Sequence, residues 1–148
     1  MLSSMKIALF AFMQVVPAAA HAQEIAGKWT ATYPAQIRRT NGNEGAEMGT
    51  ALMVIDQKGD SIFGTWHAQN APTPSQPRAF RGTFSNGRLN FVTAPSEARV
   101  RRGGDGQTVE LISYFEGTLK DGVIEGVMYL ESTDQTIRSG TLKWSARR

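Results

Sequence analysis

Few residues in this chain carry groups suited to bond-making chemistry. It has no cysteine and only two histidines, His21 and His67. His21 falls in an N-terminal leader (below), so His67 is the sole imidazole of the remaining chain. One imidazole without thiolates cannot anchor a usual zinc site, and the sequence predicts neither a metal nor a cofactor. A nucleophile–base–acid triad needs three groups converging, and no G-x-S-x-G stretch announces a nucleophile. The carboxylate pairs Glu110 with Glu116 and Glu125 with Glu131 have even spacings, which put each pair on one face of a strand. They read as outward residues that keep a strand soluble. The expectation is a protein that is not an enzyme. A hydrolase or isomerase would require polar groups to converge inside the fold.

Arginine is the more informative residue. Arg38, Arg39, Arg78, Arg99, Arg101 and Arg102 lie in or beside three long polar connections. A guanidinium fork binds two oxygens of a carboxylate, phosphate or sulfate at once. The same connections hold Glu44, Glu47, Glu97 and Asp105, with Asp134 on the last link, so most of this charge is offset locally. Solvated loops are the default reading. The sharper one has Arg78, Arg99, Arg101 and Arg102 facing an anionic head group.

The elements that would position these groups begin after a leader. Residues 1–6 carry one positive charge, residues 7–16 (IALFAFMQVV) are apolar but too short to span a bilayer, and Ala20-His21-Ala22 has the A-x-A form of a cleavage site. The sequence predicts a signal peptide over 1–22, cleavage after Ala22, and one domain over 23–148, periplasmic or secreted and not inserted in a membrane. Removing Lys6 lowers the formal net charge of +3 by one. That balance gives no reason to expect a nucleic-acid partner. Without cysteine no disulfide can form, so the core must hold the fold alone.

Beyond the leader no window has a helical apolar period. Short β-rich runs recur between turn residues instead. Eight strands are expected, over 25–33, 48–57, 61–69, 78–84, 88–94, 108–119, 123–131 and 136–146. Lys58-Gly59-Asp60, Ser85-Asn86-Gly87 and Lys120-Asp121-Gly122 are tight turns with residues suited to positive φ. Residues 34–47, 70–77 and 95–107 are long and irregular, and 132–135 is short. Tight and long links alternate. In an up-and-down meander this puts all tight turns at one end and all long loops at the other, as in a barrel with a closed base and an open mouth. Alternation places Ile25, Trp29, Ala31 and Tyr33 on one face, and likewise Ile62, Gly64, Trp66 and Ala68. Ile124, Gly126, Met128 and Leu130 form a third such set. Phe63, Val127 and Tyr129 fall on outward faces.

Gly27-Lys28-Trp29 on the first strand, the starts Gly64-Thr65-Trp66, Gly82-Thr83-Phe84 and Gly117-Thr118-Leu119, and Thr141-Leu142-Lys143-Trp144 near the end together resemble the calycins, the lipocalin and avidin group of secreted barrels. The resemblance implies an all-β fold, an eight-stranded antiparallel up-and-down barrel. It also implies a basic residue over the first-strand tryptophan, for which Arg147 is the counterpart. The later lipocalin signatures and a C-terminal helix are missing. Residues 62–69 (IFGTWHAQ) resemble the avidin stretch that meets biotin, but Ala68 stands where the hydroxyl would be, which argues against biotin.

The resulting expectation is a binding barrel for a small apolar or amphiphilic ligand, anionic if the arginines face it. Tyr33, Trp66 and Phe80 would form the wall near the mouth, with Met128 deeper. Gly27, Trp29, Trp144 and Arg147 would close and plug the base. The alternative is a filled barrel that acts through its loops and surface on a protein partner, as an interaction module or enzyme inhibitor.

Overall fold

The computed structural model describes residues 24–40, 43–69, 76–102 and 105–148, with backbone alone for 36–40, 43–46, 100–102 and 105. The leader and its cleavage site lie outside the described residues. Nine strands follow one another: β1 (Gly27–Thr40), β2 (Asn43–Lys58), β3 (Ser61–Ala68), β4 (Arg78–Ser85), β5 (Arg88–Thr93), β6 (Ser96–Arg102), β7 (Asp105–Lys120), β8 (Val123–Ser132) and β9 (Leu142–Arg147). All pairings between them are antiparallel. Eight strands close a ring. β1 to β5 pair in succession, β5 pairs with β7, β7 with β8, β8 with β9, and β9 returns to β1. The expected up-and-down barrel is the observed fold.

The base is built by turn chemistry. Asn86-Gly87 and Asp121-Gly122 each have two consecutive positive φ values, the pattern of type I′ hairpins. Gly59 has φ +60, while Asp60 is not in the positive region, as in a type II′ turn. Neighbouring turns are tied together, since Phe84 N donates to Asp60 O and Leu119 N to Gly87 O, both at 2.8 Å. The three tight turns therefore share one end.

The opposite end departs from expectation in three places. Residues 34–47 are not an irregular loop, because β1 and β2 stay paired out to Thr40↔Asn43. The register shifts once, at Ala35, beside Pro34, which has no N–H to give the ladder. Residues 95–107 hold a ninth strand, β6, paired with the first half of β7 from Ser96↔Leu111 to Arg102↔Asp105. Both stretches are polar, and continued pairing satisfies backbone groups that a loop would leave to water. The last strand is shorter than expected and begins at Leu142. Residues 133–136 turn away from the ladder, and the return to β8 is one isolated bridge, Glu131↔Arg138, flanked by Ser132 N donating to Ile137 O and Ser139 N to Leu130 O. Asp134 Oδ1 accepts from Ser132 Oγ (2.6 Å), Thr136 N (3.1 Å) and Thr136 Oγ1 (2.8 Å), and Ile137 N donates to Ser132 Oγ. Such local bonds compete with a strand ladder.

The core is the inner face of the ring, and the alternation read from β1, β3 and β8 holds. Trp29, Ala31, Met53, Ile62, Trp66, Phe80, Phe91, Phe115, Met128 and Trp144 are all buried. Glycine makes room for the rings. Gly64 pairs with Phe80, Gly82 with Phe91 and Gly126 with Trp144. A Cβ on Gly64, Gly82 or Gly126 would sit 1.8 Å from the carbonyl oxygen of Val54, Asn90 or Glu116. The strands thus approach more closely at these points than any side chain permits, as at the bends that let a small barrel close.

Candidate functional site: the barrel mouth

The middle of the barrel is occupied by rings. Phe91 stacks on Phe115 (4.5 Å between centroids, 7° between planes), and Trp144 stands edge-on to both, at 5.7 and 5.2 Å. Phe80 lies 4.8 Å from Phe91, and Trp66 4.7 Å from Phe115. Met128 is buried in the same core. Two clefts, of about 430 and 510 Å³, lie against the outer wall. One is lined by Arg88, Asn90, Glu116 and Thr118, the other by Thr32, Met48, Lys143 and Ser145. The chemistry of the inner face is therefore concentrated near the mouth.

There the apolar alternation of β4 ends in a charge. Arg78 shares its face with Phe80 and Phe84, so the period of the strand turns it inward, directly opposite Trp66. It is half-buried, and Nη1 donates to Ser96 Oγ at 2.8 Å. Burial pushes the Arg78 guanidinium below its ordinary pKa, and the nearby Tyr33 partly restores it. Burial likewise raises the Tyr33 phenol, and the Arg78 cation offsets part of that rise. Among the described residues no carboxylate pairs with Arg78. The guanidinium stays charged at any physiological pH, so a half-buried cation is answered here by a hydroxyl and a phenol.

Trp66 lies beside this pair. Tyr33 meets its ring edge-on, at 5.0 Å and 80°. Trp66 is 1% exposed, and its Nε1 has no hydrogen-bond acceptor. The other two tryptophans are satisfied, with Trp29 Nε1 donating to Ile25 O and Trp144 Nε1 to Glu116 O, each at 2.9 Å. A buried N–H left unpaired costs about 1–3 kcal/mol. Two buried hydroxyl residues, Thr93 and Ser113, add polarity to the inner face, and Ser113 N donates to Thr93 Oγ1 at 3.2 Å. Tyr33, Leu130 and Leu142 pack on the core while remaining partly exposed.

Tyr33, Trp66, Phe80 and Arg78 are therefore gathered on one inner face. The four-arginine cluster is not. Arg99 is exposed, and its odd offset from Ser96 puts it on the opposite face of β6 from the hydroxyl that Arg78 contacts. The side chains of Arg38, Arg39, Arg101 and Arg102 lie outside the described residues.

At the base, Gly27 has φ +125, and Trp29 is fully buried. Arg147 lies in the closing seam, with its backbone opposite Thr30 and Val123, but its side chain is exposed. The residue over Trp29 is Arg148, its guanidinium 4.6 Å from the ring centroid. Arg148 also donates to Ala26 O and Glu24 O, both at 3.0 Å. Parity explains this correction, since Arg148 shares the face of Trp144 and Ala146 while Arg147 faces out. Trp144 is also higher than a base plug, being part of the central ring cluster.

Sequence reasoning passed over Ser96, whose hydroxyl anchors Arg78, because it sits in a stretch read as loop. It also missed the partner of the outward Tyr129. That ring stacks on Tyr114 (4.8 Å, 11°) and is capped by the Arg138 guanidinium at 4.3 Å. Of the outward apolar residues, Phe63 and Val127 remain exposed.

The architecture is compatible with a calycin-like fold. No family model, curated protein or solved structure matches the chain.

Proposed function

We propose that this is a periplasmic or secreted, non-enzymatic binding protein of lipocalin or avidin type, taking a small amphiphilic molecule at the mouth of the barrel. The observation that carries the reading is the buried Trp66 indole N–H without an acceptor, set beside the partly exposed Tyr33 and the inward Arg78. Polar groups kept unsatisfied at the open end of a packed apolar interior fit a ligand that supplies the missing acceptor. The central rings limit the depth such a ligand can reach, so the site is shallow, with the partly exposed Tyr33, Leu130 and Leu142 as its apolar lining. Native mass spectrometry of the protein purified gently from its own host, beside a denatured control, tests this. Added mass that vanishes on denaturation supports a carried ligand. A clean mass, together with no binding across a panel of amphiphiles, refutes the reading.

One observation favours a second reading. The interior is filled at mid-height, and both clefts lie on the outer wall near the exposed Val127 and Met48. A packed barrel acting on a protein partner through its surface fits that picture. A pull-down that recovers one partner with wild type and loses it with Val127→Asp would move the assignment to this class.

A further inference from the structure

We infer that the mouth selects a monocarboxylate, whose head docks on Arg78 and accepts the unpaired Trp66 indole N–H, with its tail on Tyr33, Leu130 and Leu142. This rests on the ligand-binding reading above.

The charge argument comes first. Arg78 is turned inward, is half-buried and has no acidic partner among the described residues, and its Nη1 donates to Ser96 Oγ. The rest of its donor fork is left for a ligand. A guanidinium removed from water needs an opposite charge nearby. One cation is balanced by one negative charge, which favours a monoanion over a phosphate dianion. Arg81 lies at an odd offset from Arg78, on the outer face of β4, and Arg99 lies on the face of β6 away from Ser96, so neither adds a second charge here. Planar bidentate donation matches the two oxygens of a carboxylate.

Trp66 is the second, independent observation. Its N–H is buried and unpaired, whereas the indoles of Trp29 and Trp144 both have carbonyl acceptors. Trp66 stands opposite Arg78 across the β3–β4 ladder, so the two side chains leave neighbouring backbone positions on the same inner face. The Tyr33 ring stands edge-on to Trp66 at 5.0 Å, beside this pair. The half-buried Leu130 and Leu142, on β8 and β9 across the ring from β3 and β4, suit a short aliphatic or aromatic tail.

The test uses the full chain with ¹⁵N-labelled tryptophan, whose three indole peaks come from Trp29, Trp66 and Trp144. Octanoate, laurate and phenylacetate are titrated at neutral pH, each beside its primary amide. Octyl sulfate serves as a tetrahedral anion and octylamine as a cation. The carboxylates are expected to move the Trp66 indole proton downfield and to bind roughly 10- to 100-fold more tightly than their amides, the worth of a charge-assisted contact. Arg78→Gln should remove most of that difference, weakening the carboxylates far more than their amides. Arg78→Lys should restore part of it, because the charge returns without the fork. Equal binding of acids and amides, with no response to Arg78→Gln, overturns the carboxylate inference and leaves the binding barrel standing. Tighter binding of octyl sulfate than of octanoate overturns the choice of carboxylate. Failure of every probe to bind or to move the Trp66 peak overturns both readings.

Discussion

Replacing Gly82 with alanine should be among the most damaging single-methyl changes this fold can suffer. The added Cβ would lie 1.8 Å from Asn90 O and 2.6 Å from Phe91 Cα. Both are backbone atoms of the neighbouring strand, so no side chain can swing away to relieve the clash. Real Cβ atoms keep at least 3.0 Å from such neighbours. The β4–β5 ladder must therefore open by about 1 Å, which takes adjacent N–H···O bonds beyond useful length. Two lost backbone bonds at about 1 kcal/mol each, with overpacking strain of about 1–3 kcal/mol, give a cost of about 3–5 kcal/mol. For a chain of this size that is a fall in Tm of roughly 10–20 °C. Gly59→Ala is the control. Nothing lies within 4 Å of that position, and only its φ of +60 opposes a side chain, so the expected cost is about 1–2 kcal/mol. Urea unfolding of both variants, followed by tryptophan fluorescence, gives the comparison. If Gly82→Ala costs no more than Gly59→Ala, the close approach of β4 and β5 is not what the geometry describes.

Other expectations can be checked on the same footing. Arg148→Ala should cost about 1 kcal/mol and alter Trp29 emission, because it removes a cation over the ring and two bonds to carbonyls. Arg147→Ala should stay within about 0.5 kcal/mol of wild type in the same urea melts. Asp134 is held below the usual carboxylate range by the Ser132 hydroxyl, then by the Thr136 hydroxyl and N–H. Its folded pKa is depressed, so its contribution is present above the unfolded value and lost as pH falls through the folded one. Asp134→Ala should thus melt below wild type at neutral pH, with the gap closing in acid. Tyr33 is raised by burial against the pull of Arg78. Its contribution is whole below the ordinary phenol range and is lost as pH rises through the elevated value. Ultraviolet titration should show a late phenol that Tyr33→Phe abolishes and Arg78→Gln moves later still.

The parts of the fold that depend on local chemistry were legible in the sequence. Asn86-Gly87 and Asp121-Gly122 specify their turns whatever surrounds them, and the alternation along β1, β3 and β8 fixes which face is buried. What was hidden depends on partners distant in sequence. Residues 34–47 and 95–107 read as loops because they are polar and glycine-rich. Among the described residues, 34–40 and 43–47 pair with each other and 96–102 pair with 105–111, so each stretch finds the partner that makes it strand. Residues 136–141 carry β-compatible side chains, yet Asp134 and Ser132 capture the N–H groups of Thr136 and Ile137, and only one bridge, Glu131↔Arg138, forms before β9. The same distinction governs the site. Period 2 turns Arg78 inward once the strand is recognised, whereas its neighbour Ser96 needed β6, and the choice of Arg148 over Arg147 needed the parity of a strand whose ends were uncertain.

A barrel of this size leaves little freedom in where binding chemistry can sit. Eight strands enclose a space that side chains can fill. Here the glycines at 64, 82 and 126 draw the strands close, while Phe91, Phe115 and Trp144 take up the centre. A charge placed among those rings would have no partner and no water, and would cost several kcal/mol. At the mouth a guanidinium can be half-buried, keep some solvent and still face inward, as Arg78 does. Trp66, opposite Arg78 and edge-on to the partly exposed Tyr33, lies where the filled core meets that end, with its N–H buried and unpaired. Core packing and the proposed binding site thus occupy different levels of the barrel axis. Substitutions at Gly82 or Phe115 should change stability first, and those at Arg78 should change affinity with little change in stability.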